Sequence, residues 1–290
     1  GDTLHIQKIE LYNQLQSSPT TNAPVPTHPQ GDVISVYSDV YTDIASNYNP
    51  GWGQSGSVNT TFDPTGSSTD YVMAYTNFNY QGTDLTTQNA TSMEFLHVDI
   101  WVQSGTDRLV KVTPISNGEN LVNVPLTPGA WNSVDIPVSD FGLTLDNVIQ
   151  MKFDGQFNGD GTANSAGFDV FVDNLYFWRS PPPAMTLQGV FDLHGSTTVG
   201  YHGTDGKGVH LKANVDIPDL SIYSLDVVSN GGGSLDPNSF TLSGSANAGD
   251  DILVHRVGSG SNSANFFSDY FASCYSNFET TLISSIFTQN

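Results

Sequence analysis

The sequence predicts an all-β chain made of two sandwiches, and three observations carry that reading. Short runs of alternating polarity recur about every ten residues, separated by Gly, Pro, Asn and Asp clusters. No segment repeats apolar residues at helical spacing over three turns. Four of the 29 acids are Glu and the other 25 are Asp, a residue that favours turns and caps over helix interiors. At 290 residues the chain is long enough for about two domains.

Taken in order, residues 1–15 hold His5-Ile6-Gln7-Lys8-Ile9-Glu10-Leu11-Tyr12, which has the length and texture of Val172–Trp178. Both runs close just before a Pro-rich stretch. The first reads as the last strand of a preceding sandwich, or equally as an edge strand of the central body. Residues 16–30, rich in Pro, Thr and Ser, read as a linker running extended between folded units. The central body, 31–180, offers strands at 33–37, 58–62, 70–80, 94–103, 108–115, 120–126, 131–136, 148–156 and 168–178. Ser116-Asn117-Gly118-Glu119 supplies a hairpin turn, and Thr127-Pro128-Gly129 has the order of a type II turn. A second Pro-rich linker at 181–185 leads to a C-terminal sandwich at 186–290.

Eight Lys and Arg against 29 acids give a net charge of -21, which repels a phosphate backbone or an anionic bilayer. Nucleic acid and membrane are therefore excluded as expected partners. The single cysteine, Cys274, permits neither an internal disulfide nor a cysteine zinc site. No run approaches the roughly 18 apolar residues of a membrane span, and residues 1–15 lack the texture of a signal peptide. Without an initiator Met, the chain reads as a processed or excised piece of a longer protein.

Catalytic signatures are missing. The Glu-x-Asp-x-x-Glu pattern of family 16 glycoside hydrolases occurs nowhere, and Glu94 and Asp99, five apart, face opposite ways in a regular strand. A Gly-x-Ser-x-Gly elbow, a phosphate loop and a His-Glu-x-x-His helix are equally absent. The expectation is a non-enzymatic chain.

Strand alternation then singles out one polar face. In Phe95–Gln103, period two sends Leu96, Val98, Ile100 and Val102 to a core and His97, Asp99, Trp101 and Gln103 to the other side. In Tyr71–Gln81 the same rule separates Val72, Ala74, Thr76 and Phe78 from Tyr75, Asn77, Asn79 and Gln81. Aromatic plates beside amides and carboxylates suit a sugar, whose C–H face packs on a ring while its hydroxyls are bonded. Trp52, in the Gly-rich loop Asn49–Gln54, is a further platform able to lean over that groove. The candidate carbohydrate-binding residues are Trp52, Tyr75, Asn77, Gln81, His97, Asp99 and Trp101. A solvated sheet face with ordinary cross-strand pairs is the plain alternative.

Asp39 and Asp43 follow the first strand and Asp173 interrupts the apolar last one. If those strands run side by side, the three carboxylates can converge on one hard cation with backbone carbonyls, and a structural calcium ion is the natural choice.

Five segments of residues 31–179 resemble the carbohydrate-binding β-sandwich modules attached to secreted polysaccharide-degrading enzymes of marine bacteria. They are Asp32–Asp43, Asn49–Gln54, Tyr75–Gly82, Leu96–Trp101 and Val172–Phe177. The resemblance implies a jelly roll with structural calcium, a non-catalytic role in holding an enzyme on algal polysaccharide, secretion, and a covalently linked catalytic domain upstream of a monomeric module. Residues 186–290 resemble bacterial lamin-tail domains, an immunoglobulin-like sandwich, through Gly206–Lys212, Asp216–Leu225, Gly231–Ser234 and Asn247–Val254. That family usually closes with two more strands after its Gly-Asp-Asp turn. It implies a binding or spacer role, with His194, His202, His210 and His255 as strand or surface residues lacking metal-ligand spacing. A spacer or adhesin array without glycan binding, and a divergent β-sandwich polysaccharide lyase, are the competing readings.

Overall fold

The computed structural model describes residues 16–66, 69–193, 206–226, 239–256, 267, 275, 278 and 280–283. The expected strand at 5–12 and the Gly231–Ser234 segment lie outside them. Chain contacts divide the protein into two units, Gly1–Pro181 and Pro182–Asn290.

The first unit is a two-sheet β-sandwich. Its strands are β1 (Val33–Tyr37), β2 (Ser46–Asn47), β3 (Ser57–Phe62), β4 (Val72–Phe78), β5 (Tyr80–Gln88), β6 (Phe95–Val102), β7 (Arg108–Ile115), β8 (Val122–Val124), β9 (Trp131–Pro137), β10 (Val148–Asn158) and β11 (Phe168–Trp178). Sheet A has the order β3-β4-β11-β6-β9, with β1 also pairing with β11, and sheet B has the order β2-β5-β10-β7-β8. Every named pairing within both sheets is antiparallel. Apolar residues of the inward faces close the core between them: Leu96, Val98, Ile100 and Val102 of β6 meet Val110, Val112, Met151 and Phe153 of β7 and β10. The turn after β7 puts Asn117 and Gly118 at positive φ, and Gly129 supplies the positive φ of the Thr127–Gly129 turn.

Two asparagines set the pattern of sheet A. Asn77 (φ 51°) and Asn174 (φ 47°) adopt the left-handed conformation that Asn tolerates better than most residues. Each stands where the strand register slips, between Val170↔Tyr75 and Phe168↔Phe78 for the first and between Asp173 and Tyr176 for the second. A bulge inserts one residue and resets which side chains face the core. Residues 70–80, expected as one strand, divide at Asn79 into β4 and β5, which belong to different sheets.

Residues 16–30 do not run free between folded units. They lie along the outer face of sheet A. Ala23 is buried there, Trp131 donates its indole N–H to the Thr21 carbonyl (2.8 Å), and Asn174 Nδ2 donates to the Pro24 carbonyl (3.0 Å). His28 stacks on Trp178 at 4.0 Å, and its carbonyl accepts from the Tyr41 hydroxyl. The physical reason is an apolar patch on that outer face, formed by Val72, Ala74, Trp101 and Phe171 with Phe62 and Trp131. Pro-rich chain has little conformational entropy to lose on docking and covers the patch as a strap.

In the second unit, β12 (Met185–Leu193), β13 (Gly206–Ala213), β16 (Asp251–His255) and β17 (Thr280–Ile283) form a sheet in that order, β17 being parallel to β16. A two-stranded ribbon of β14 (Ser224–Leu225) and β15 (Phe240–Thr241) accompanies it. Leu211, Leu220, Leu242, Ile252 and Val254 form its core.

The strap makes a direct prediction. Deleting residues 16–28 removes the hydrogen bonds from Asn174 and Trp131 to the strap, each worth about 0.5–1.5 kcal/mol, and exposes the apolar patch around Trp101 and Phe171 to water. The deletion should lower the melting temperature of the first unit by several degrees and raise binding of a hydrophobic dye. Limited proteolysis of the intact chain should spare residues 19–28. An unchanged melt and rapid cleavage there would show that the strap does not hold.

Candidate functional site

The residues singled out from the sequence fall in three places. Tyr75 is 1% exposed and lies in the core, stacked on Phe78 with ring centroids 5.8 Å apart, its hydroxyl facing Met73 Sδ at 3.7 Å. This corrects its placement on a sugar-binding face: Val72 and Ala74 point outward under the strap, and the Asn77 bulge then brings Phe78 inward beside Tyr75. Asn77 itself is exposed at the bulge, where its backbone N–H donates to Asp169 Oδ1 and its side chain to the Ser55 carbonyl. Gln81 belongs to β5 of the other sheet and is buried, donating to the carbonyls of Tyr48 and Gly82.

His97, Asp99 and Trp101 do share the outer face of sheet A, as alternation requires. They are 7%, 0% and 2% exposed, so the face they share is closed. Asymmetry between the sheets, not the pattern within a strand, decides this: the strap covers sheet A.

Beneath the strap the polar groups form a connected network. His97 Nδ1 meets Asp135 Oδ1 at 2.8 Å, its Nε2 faces Asp99 Oδ1 at 3.5 Å, and its ring stacks on Tyr176 at 4.6 Å. Burial on its own lowers the His97 pKa, but the carboxylates of Asp99 and Asp135 outweigh it and hold the value above the ordinary one. Ser133 Oγ also lies 3.5 Å from His97 Nε2, which gives a Ser–His–Asp order across β9 and β6. It is not a nucleophile array. Beside two carboxylates the charged imidazole is favoured, and in that form both nitrogens carry protons and neither has a lone pair for the serine proton.

Asn174 clamps this network to the strap. Its Nδ2 donates to Asp99 Oδ2 (2.8 Å) as well as to Pro24, and its Oδ1 accepts from Ser38 Oγ (2.8 Å). The left-handed bulge at Asn174 explains the polar Asp-Asn pair inside an apolar strand, since it lets two consecutive side chains serve one face. Asp173 lies opposite Asp99 across the β11–β6 ladder. Burial, with the nearby Asp70, Asp99 and Asp39 carboxylates adding to it, pushes the Asp173 pKa up to about 8.

Of the three acids read as cation ligands, Asp39 lies near both Asp173 and Asp43. Asp43 accepts from Ser35 Oγ (2.6 Å) and the Ser38 backbone, a turn-capping role set by the bend after β1. Asp39 takes the Tyr71 backbone N–H, beside a cavity of about 190 Å³ lined by Ala23, Pro24, Asp70 and Asn174. Among the described residues, no three acidic, imidazole or thiol groups converge at metal-holding distances.

The open face is that of sheet B, which the sequence reading did not single out. Trp52 comes to it from the 49–54 loop. Gln54 fixes that loop, accepting from the Trp52 backbone N–H (2.9 Å) and donating to Pro50 (2.7 Å), while the Tyr80 hydroxyl donates to the Trp52 carbonyl (2.9 Å). The indole lies against the backbone of β5: a Cβ at Gly82 would stand 2.5–2.6 Å from three ring carbons. Glycine is therefore required for the ring to lie flat on the strand. Trp52, Tyr80, Ile115, Glu119, Gln150, Lys152 and Gln156 line a groove of about 420 Å³. Its floor is ordered by polar contacts: across the strands Gln150 Nε2 donates to Asp84 Oδ1 (2.7 Å), and Lys152 Nζ lies 3.4 Å from Glu119 in the turn after β7 and 3.8 Å from Asp154 on its own strand. Farther along, Lys111 caps the Phe157 ring at 3.7 Å. The groove combines a half-buried aromatic plate, a phenol, two amides and the Lys152–Glu119 pair in an open trough, which is the composition of a hydrogen-bonding platform.

The His97 network carries a pH dependence. Its folded pKa is raised, so the stabilisation is fully present below the unfolded value of about 6.5 and is lost as pH rises through the folded value. The melting temperature of the wild type should fall as pH rises above about 6.5. In His97→Gln that part of the fall should vanish, so its profile should be flatter. Parallel profiles would show that His97 is not held as a cation.

No protein-family model and no curated protein matches the chain. Solved structures do. The family 11 carbohydrate-binding module of a cellulosomal cellulase of Clostridium thermocellum aligns with a TM-score of 0.33 and 16% identity, covering 51% of this chain and 95% of the module. The same organism's family 11 module in complex with a β-1,3-1,4-mixed-linked tetrasaccharide aligns with a TM-score of 0.30 and 18% identity, covering 47% and 88%. A β-1,2-glucanase from Parabacteroides distasonis aligns with a TM-score of 0.30 and 12% identity over 73% of this chain and 32% of the glucanase.

Proposed function

We propose that the first unit is a non-catalytic carbohydrate-binding module that holds a polysaccharide in the groove on the outer face of sheet B. One observation carries the reading: a tryptophan is laid flat on a strand at a position where only glycine admits it, beside amide side chains in an open trough. Such a plate receives the C–H face of a sugar, and the trough's amides bond the hydroxyls. We further propose that the module tethers a secreted polysaccharide-degrading enzyme to an algal glycan, with the lamin-tail-like second unit as an accessory spacer in a monomeric chain. That part rests on the sequence resemblance.

The structural calcium is proposed beside Asp39 and Asp173, with the ligands beyond these two acids supplied by backbone carbonyls and water, because among the described residues no three acids converge there. Their oxygens suit a hard cation, and among the described ion pairs no basic side chain neutralises Asp173. Asn22 Oδ1, buried without a hydrogen-bond partner, fits the same chemistry. Calcium binds the folded state and so stabilises it by mass action. Chelator should lower the melting temperature reversibly, and Asp173→Ala should abolish the response to added calcium. An identical melt with and without chelator, with no metal by elemental analysis, contradicts the site.

Affinity electrophoresis through gels containing agarose, laminarin, alginate or carrageenan tests the binding reading. Retardation without product release is expected in at least one gel. Stacking of one ring is worth about 0.5–1.5 kcal/mol beyond burial, so Trp52→Ala should weaken retention several-fold with the fold intact. Gly82→Ala, which displaces the indole, should do the same. Retention unchanged in both variants moves the site elsewhere, and release of product returns the lyase reading.

A further inference from the structure

The charge pattern of the groove limits which polysaccharide it accepts, and this inference rests on the carbohydrate-binding reading above. We propose that Glu119 and Asp154 are specificity-determining residues that make the groove select an uncharged polysaccharide and reject uronate- or sulfate-bearing ones.

Lys152 is the cation at the centre of the groove, the position from which a basic side chain would capture a glycan carboxylate or sulfate. It is already occupied. Glu119 reaches it from the turn after β7 and Asp154 from two residues along β10, at 3.4 and 3.8 Å. Asp154 is held in place because it also accepts the Gln156 backbone N–H (3.0 Å). The other nearby cation, Lys111, lies against the Phe157 ring and opposite Asp154 in the β10–β7 ladder. Asp84 adds a third carboxylate, fixed by Gln150. Three carboxylates thus face two cations on this surface, in a chain of net charge -21. An anionic glycan has to displace Glu119 or Asp154 from Lys152 and remain beside the displaced charge. A neutral chain makes no such exchange, because it needs only the plate and the amides. Rejecting a competitor by like charge costs the accepted ligand nothing and is a usual route to selectivity.

The test uses the full chain in paired affinity gels: hydroxyethyl-cellulose, laminarin and agarose as uncharged polymers, carboxymethyl-cellulose, alginate and carrageenan as anionic ones. Wild type should be retarded by at least one uncharged polymer and by none of the anionic ones. Glu119→Lys, at an exposed turn, should acquire clear retardation on an anionic polymer at low salt where wild type shows none. That gain should disappear at about 1 M NaCl, where the Debye length is about 3 Å. Glu94→Lys, the same charge change ahead of β6 in the other sheet, should not acquire it. Retardation of wild type by an anionic polymer, or an equal gain in both variants, overturns the proposal and leaves the binding reading standing. No retardation in any gel overturns the binding reading and this inference with it.

Discussion

The outer face of sheet A has to be covered, and much of the first unit follows from how the chain covers it. That face mixes an apolar patch around Trp101 and Phe171 with a buried polar row of His97, Asp99 and Asp173. Left to water it would be a large exposed apolar surface, and left to an apolar partner it would strand carboxylates. A Pro-rich strap answers both needs, since its side chains cover the rings while its carbonyls accept hydrogen bonds from Asn174 and Trp131. Asn174 ties the two halves of the solution together, because one amide serves the strap, Asp99 and Ser38. With sheet A sealed, sheet B presents the open face.

Much of the fold was legible in the sequence because antiparallel strands with one wet face alternate cleanly. The bounds 33–37, 108–115 and 168–178 are those of β1, β7 and β11. The bulge at Asn77 was not legible, since a left-handed Asn in a bulge leaves no mark that separates it from an outward-facing Asn. A period-two count carried through it assigns Tyr75 and Phe78 to opposite faces when both are in the core. β5, with the texture Tyr-Gln-Gly-Thr-Asp-Leu-Thr-Thr-Gln, lacks the apolar alternation by which a strand is recognised.

The site was legible only in part for a related reason. Alternation reports which residues share a face and says nothing about what another segment lays over it. His97, Asp99 and Trp101 share a face, and the strap closes it. Trp52 was visible as a loop aromatic with no burial partner nearby in sequence, but its seat on Gly82 joins residues 30 positions apart, which spacing does not reveal. The pairing of Lys152 with Glu119 joins a strand to a turn 33 residues away and is invisible in the same way.

Hydrogen exchange in the presence and absence of a retained polysaccharide tests the central claim, that the ligand lies on sheet B while the strap keeps sheet A closed. New protection should appear in residues 49–54, 80–84 and 150–156. Residues 95–102 and 131–137 should be slow to exchange in both states. Ligand-dependent protection of 95–102 and 131–137, with 49–54 and 150–156 unaffected, would contradict the account.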